Sequence, residues 1–214
     1  MPGTLTYFGL GARGEPTRAL CHLANFEFEN KTVTPEEFGA MKPDLPLGSL
    51  PIWEEDGNTI CQSNAILRMM GIRLGYYSTD PNTMWAIDSL LDFLEDNYES
   101  MLGRCSKQIF GQEPTAEDDE KFLAYYDKTV PLLTARLEKH GKKYIAGTDK
   151  LTIADIKVYQ GFTVIFENPA NLAPQELKDK ALAKIAASPI LKTYLDQLKQ
   201  DMSGWLAVRP PTPI

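Results

Sequence analysis

Apolar and polar positions change their spacing partway along the chain. Before residue 78, short apolar runs alternate with helical stretches. Leu5-Thr6-Tyr7-Phe8 predicts a strand, and Gly9, Gly11 and Gly14 open a loop after it. From Glu15 to Asn25, Pro16, Ala19, Leu20, Leu23 and Ala24 recur at helical spacing, with Pro16 in the first turn, where its missing N–H is harmless. Phe26-Glu27-Phe28-Glu29 alternates, which predicts a half-buried strand. Thr34-Pro35-Glu36-Glu37 carries a capping residue and an acidic first turn. Leu50-Pro51-Ile52-Trp53 and Thr59-Ile60-Cys61 flank Asp56-Gly57-Asn58, the signal of a hairpin. Ser63 then caps an apolar helix running through Ala65–Met70. The order βαβ, helix, ββα predicts an α/β unit with a mixed sheet over residues 1–77.

Residues 78–82 form a short polar linker containing Pro81, and no strand pattern follows it. Met84, Ile87, Leu91, Leu94, Tyr98 and Met101 predict one amphipathic helix, whose other side carries Asp88, Asp92, Glu95, Asp96 and Glu99. A second helix is predicted from Thr115 to about His140, bent or weakened at Pro131. Thr152-Ile153-Ala154-Asp155 opens a third with a capping box, placing Ile156, Tyr159, Phe162 and Phe166 on one face. Shorter helices are predicted near 175–187 and 189–202, and the proline-containing tail 205–214 should be extended. Residues 83–214 are therefore expected to be all-helical.

Composition narrows the function. The 214 residues are 43% hydrophobic and 24% charged, as in a folded globular protein. A net charge of −7 and the lack of any Lys/Arg tract argue against nucleic acid as a partner. No apolar run reaches the ~18 residues that a membrane span needs, and the start lacks a secretory signal pattern. Cys21, Cys61 and Cys105 are odd in number and far apart, which suits a reducing, cytoplasmic setting rather than a disulfide framework.

Four stretches stand together in order: Tyr7-Phe8 with Arg13, Leu50-Pro51-Ile52, Gln62-Ser63, and Leu151-Thr152-Ile153-Ala154-Asp155. In this combination the chain resembles the cytosolic glutathione transferases over nearly its whole length, and the tyrosine-type classes (sigma, with mu and pi as neighbours) most of all. The resemblance implies a thioredoxin-like domain followed by an all-helical domain that contributes the electrophile pocket. It also implies a homodimer and a detoxifying conjugation reaction. Glutathione is then a co-substrate, the second substrate is an apolar electrophile, and no cofactor or metal is needed.

The nucleophile of such a reaction is the glutathione thiolate. A thiol pKa of ~8.5 leaves only a few per cent ionised at neutral pH, and lowering it by ~2 units corresponds to ~2.7 kcal/mol. One hydrogen bond to a charged group is worth ~1.5–3 kcal/mol, so a single well-placed donor supplies most of that. The resemblance assigns this donor to Tyr7, at the end of the first strand, with Arg13 beside it. It also implies a cis Leu50-Pro51 bond presenting the Leu50 backbone to the cysteinyl residue. Gln62 and Ser63 would grip the γ-glutamyl end, Lys42 the glycyl carboxylate, and Phe38, where sigma members often carry tryptophan, would supply an apolar wall. Asp96 matches an aspartate that reaches across the dimer to the partner's γ-glutamyl ammonium. Phe8, Tyr98, Leu102 and Gly161 are expected to line the electrophile pocket, which Gly11, where related classes carry a basic residue, leaves more open. Asp92, Glu95 and Asp96 match an acidic cluster that binds a divalent cation in some sigma members, with glutamate replacing an aspartate at 95. Asp88 and Glu99 are expected on a solvated face.

Three rivals share these features. A glutathione-dependent isomerase acting on a lipid such as a prostaglandin endoperoxide would use the same thiolate. A non-catalytic carrier or crystallin-like relative would keep the fold, but intact Tyr7, Arg13, Gln62 and Ser63 argue against it. A cysteine-dependent redox enzyme is disfavoured because no cysteine lies near Tyr7 in the sequence.

Overall fold

The computed structural model describes residues 3–141, 143–168 and 170–212. Strands β1 (Thr4–Phe8), β2 (Glu29–Val33), β3 (Ile52–Glu55) and β4 (Asn58–Cys61) form one sheet in the order β2-β1-β3-β4. The β1–β2 pair is parallel and the other two are antiparallel, so the sheet is mixed. Helix α1 (Glu15–Leu23) connects β1 to β2, α2 (Pro35–Met41) precedes β3, and α3 (Ser63–Leu74) follows β4. Beyond them the described residues hold only helices: α4 (Pro81–Asp96), α5 (Tyr98–Ile109), α6 (Ala116–His140), α7 (Ile153–Tyr159), α8 (Ile165–Glu167), α9 (Gln175–Ala186), α10 (Pro189–Asp201) and α11 (Ser203–Val208). This is the expected α/β unit followed by an all-helical one.

One apolar core runs through both parts, from Leu5, Leu20 and Trp53 to Leu94, Tyr126, Ile153 and Tyr159. Helix α7 packs against α1, α3 and α4 and so joins the two. The approach is close: a Cβ on Gly71 of α3 would lie 2.7 Å from Ile153 Cγ2, and Ile153 N–H donates to the Tyr76 carbonyl at 3.0 Å.

Several boundaries differ from expectation. The strand is Glu29–Val33, not Phe26–Glu29. Phe26 and Phe28 instead pack on the Trp53 ring, while the polar segment after them makes an edge strand through its backbone pairing with β1, exposed except at Val33. The long helix predicted over 84–101 breaks at Asn97, whose Nδ2 donates to the Phe93 carbonyl at 2.8 Å and ends α4. A one-residue break preserves the apolar spacing, which is why the pattern hides it. Pro81 and Asn82 are not linker but the first residues of α4, capped by Asp80, whose carboxylate accepts from Thr83 N–H at 2.8 Å. Helix α6 continues on both sides of Pro131, and α7 runs on through one wide π turn (Gln160–Val164) into α8. The tail is helical as far as Val208, held by buried Trp205. Ser63 is the first helical residue of α3 rather than its cap, and Gln62 holds the cap position.

Candidate active site

Strand β3 begins at Ile52, opposite Thr6, so Tyr7 and Phe8 continue past it toward Pro51 and Leu50. The Leu50-Pro51 bond is cis. Tyr7 is only 6% exposed, and its ring lies against Gly14, where a Cβ would stand 2.6 Å from Tyr7 Cδ1. Only glycine fits there. The Tyr7 hydroxyl accepts the Arg13 backbone N–H at 3.3 Å and donates to no group among the described residues. Burial pushes the phenol pKa up, against the Arg13 N–H and the positive charges of Arg13 and Arg18, so the proton stays on the oxygen at neutral pH.

The loop that presents Arg13 is braced from several sides. Buried Arg18 donates to the Leu10 and Phe8 carbonyls at 2.6 and 3.2 Å and to Asn30 Oδ1 at 2.9 Å. Gly11 N–H donates to Thr212 Oγ1 at 3.1 Å, and the Gln160 amide donates to both the Ala12 carbonyl and the Tyr98 hydroxyl. Glu15, buried at the start of α1, accepts from Arg209 Nε at 2.7 Å and Trp205 Nε1 at 2.9 Å.

Arg13 reaches Tyr7 through its backbone, while its guanidinium points elsewhere. Nε donates to Glu95 Oε1 at 2.6 Å, Nη2 to Glu99 Oε1 at 2.8 Å, and the group lies 4.8 Å from the Tyr98 ring centre. The second oxygen of Glu95 accepts from Lys157 Nζ at 2.9 Å, and Lys157 is itself 4.9 Å from that ring centre. Burial works against the Glu95 carboxylate, but Lys157 and Arg13 outweigh it and hold its pKa below the ordinary range. Burial lowers the Lys157 pKa, and Glu95 pulls it back up.

At the start of α3, Gln62 stands at φ 72°, ψ 114°, a conformation side chains rarely adopt, and no side chain caps the helix. Its carbonyl takes the first helical bond, from Ile66 N–H at 2.9 Å. Ser63 is only 9% exposed, and its hydroxyl has no hydrogen-bond partner among the described residues. Phe38 meets Phe8 edge-on at 5.3 Å, Phe8 meets Tyr7 at 5.5 Å, and Lys42 Nζ lies 5.7 Å from the Phe38 ring centre. Tyr7, Phe8, Phe38 and Lys42 thus form one continuous edge.

The other predicted residues are placed less uniformly. Asp96 is exposed at the end of α4, without a partner among the described residues. Tyr98, Leu102 and Gly161 are buried in the core, and Phe8 alone of the four predicted pocket residues is partly exposed. The acidic face of α4 is not simply solvated. Arg68 bridges Asp88 and Asp92 at 2.7 Å each, Tyr77 donates to Asp88 at 2.6 Å, and Glu95 holds Arg13 together with Glu99 of α5. Among the described residues no group of three or more His, Cys, Asp or Glu is arranged to hold a metal ion, and no helix is long and apolar enough to cross a membrane.

The sequence model of the glutathione S-transferase N-terminal domain matches residues 3–69, and that of the C-terminal domain matches residues 101–197. Glutathione S-transferase 1 of Ascaris suum is 32% identical, over 98% of this chain and 97% of its own length. The chain belongs to the glutathione S-transferase family. Glutathione S-transferase S1 of Drosophila melanogaster is 28% identical over 99% of this chain and 80% of its own. The crystal structure of the transferase from Ascaris lumbricoides superposes with a TM-score of 0.80 at 28% identity, covering all of both chains.

This transferase therefore has the thioredoxin-like sheet and helical domain that its four motifs imply. Sequence reasoning missed Gly14 as a packing site, Arg18, Gln160 and Lys157. Arg18 and Lys157 were detectable only as charged residues inside otherwise apolar helical segments, and Gln160 carried no local signal.

Proposed function

We propose that this glutathione transferase conjugates the glutathione thiolate to apolar electrophiles, with the Tyr7 O–H holding the sulfur in its anionic form. The thiol proton leaves to solvent. The thiolate then attacks the electrophile, forming a carbon–sulfur bond and releasing the displaced group. One observation carries the reading: Tyr7 accepts a backbone N–H from Arg13 and keeps its own proton for a partner outside the described residues. Accepting that bond polarises the phenol and makes it a better donor. The tripeptide would lie along the edge described above. Its γ-glutamyl carboxylate meets Ser63 and the free N–H groups of α3, its cysteinyl backbone meets Leu50, and its glycyl carboxylate meets Lys42 beside Phe38. Gln62 and Arg13 complete the site. Phe8 faces the electrophile, with Tyr98, Leu102 and Gly161 forming the wall behind it. Exposed, unpartnered Asp96 supports a homodimer in which it reaches the partner's ligand, and three free thiols suit a cytoplasmic setting. Sedimentation as a monomer with full glutathione affinity would remove the dimer from this reading.

Tyr7→Phe tests the proposal. Ultraviolet difference titration should show the pKa of bound glutathione rising by about 1–2 units. Conjugation of an aryl halide should fall about three- to twenty-five-fold at neutral pH, with glutathione affinity nearly unchanged. Unaltered turnover would sink the assignment.

A further inference from the structure

Lys157 is unusual in its surroundings. Every residue of α7 is buried, and Lys157 is only 3% exposed. A buried ammonium is costly unless it is paired. Here the pairing is specific, because Glu95 divides its two oxygens, one to Lys157 at 2.9 Å and the other to Arg13 at 2.6 Å. Both cations also face the Tyr98 ring. The charges around this point come from six places: Tyr7 on β1, Arg13 in the loop after it, Arg18 on α1, Glu95 on α4, Glu99 on α5 and Lys157 on α7.

Arg13 alone would be outnumbered by the two carboxylates that hold it. Glu99 is 71% exposed and screened by water, so Glu95 is the charge that matters. The field of Glu95 reaches the Tyr7 phenol, where it disfavours an added negative charge. We infer that Lys157 is a positioning residue for the thiolate: by occupying one oxygen of Glu95, it leaves the positive charge of Arg13 uncancelled, so that its field reaches Tyr7 and the sulfur held there. This rests on the placement of the glutathione sulfur at Tyr7 proposed above. Lys157 itself touches neither substrate. Its charge offsets that of Glu95 and so spares that of Arg13, across the boundary between the helical part and the sheet.

The test reads thiol ionisation rather than activity alone. Lys157→Met keeps the length of the stem and removes the charge. It should raise the pKa of enzyme-bound glutathione by roughly one unit, which lowers the thiolate fraction about threefold at neutral pH. Lys157→Arg should titrate like the parent protein. Glu95→Gln should shift the pKa the other way, and Lys157→Met combined with Glu95→Gln should return it close to the parent value. A purely structural lysine would not give this reversal. Should Lys157→Met fail to fold, the same charge step is read between Glu95→Gln and the double variant. Parent-like titration across that step overturns the inference. Tyr7→Phe, run alongside, separates the two readings. If it raises the thiol pKa while removal of Lys157 does not, only the role of Lys157 falls; if neither changes it, the placement of the sulfur at Tyr7 falls.

Discussion

Helices α3 and α7 pack against each other, yet their first turns are built in opposite ways. At α7 the capping box closes completely. Asp155, fully buried, accepts from the Thr152 N–H and hydroxyl at 2.8 Å each, from Ile145 N–H at 3.0 Å and from the Tyr194 hydroxyl at 2.7 Å. At α3 nothing closes. Gln62 holds a left-handed conformation, its side chain is turned to solvent, and the Ser63 hydroxyl is unspent. A start that closes its donors on its own side chains serves the fold. One that keeps donors free in a strained backbone is organised for a ligand to complete.

The largest test of this contrast is Asp155→Ala. It strands several buried donors at once, and at ~1–3 kcal/mol for each unsatisfied group the loss should reach ~3 kcal/mol or more in urea unfolding. Glutathione affinity of the folded fraction should hold. A loss of affinity with normal stability would reverse the roles given to the two helices. Ser63→Ala is the mirror experiment. Removal of a hydrogen bond to a carboxylate should weaken glutathione binding about ten- to a hundredfold, with stability unchanged within about 0.5 kcal/mol; unaltered calorimetric affinity would make Ser63 an ordinary packing residue. The smallest effect is expected from Gln62→Gly. Relief of the left-handed backbone should add about 1 kcal/mol of stability while binding weakens. A drop in stability would mean that the conformation at 62 carries no strain.

The two starts also differ in how visible they were. Thr152 and Asp155 announce their box three residues apart, and the box is there. Ser63 predicts a cap, but the cap position falls to Gln62, because β4 delivers the chain to α3 through a left-handed turn that no residue type signals. The Asp56-Gly57 hairpin and the Thr34–Glu37 box are equally local and equally legible. The strand at 29–33 is not, because a polar edge strand shows only in its pairing with β1.

Residue pattern alone therefore settled much of what is closed within a few positions of chain: the capping boxes at Thr34 and Thr152, the hairpin, helical faces, and the ordered motifs that mark the family. Folding settled the contacts between distant segments. Glu95 and Lys157 are 62 residues apart, the Gln160 amide and the Ala12 carbonyl 148, and Arg209 and Glu15 194. Spacing cannot reveal such partners, because their nearness comes from the packing of α7 and the tail against the sheet. A lysine that would be solvated on a surface helix is, for that reason, buried behind the site, with its charge spent on Glu95.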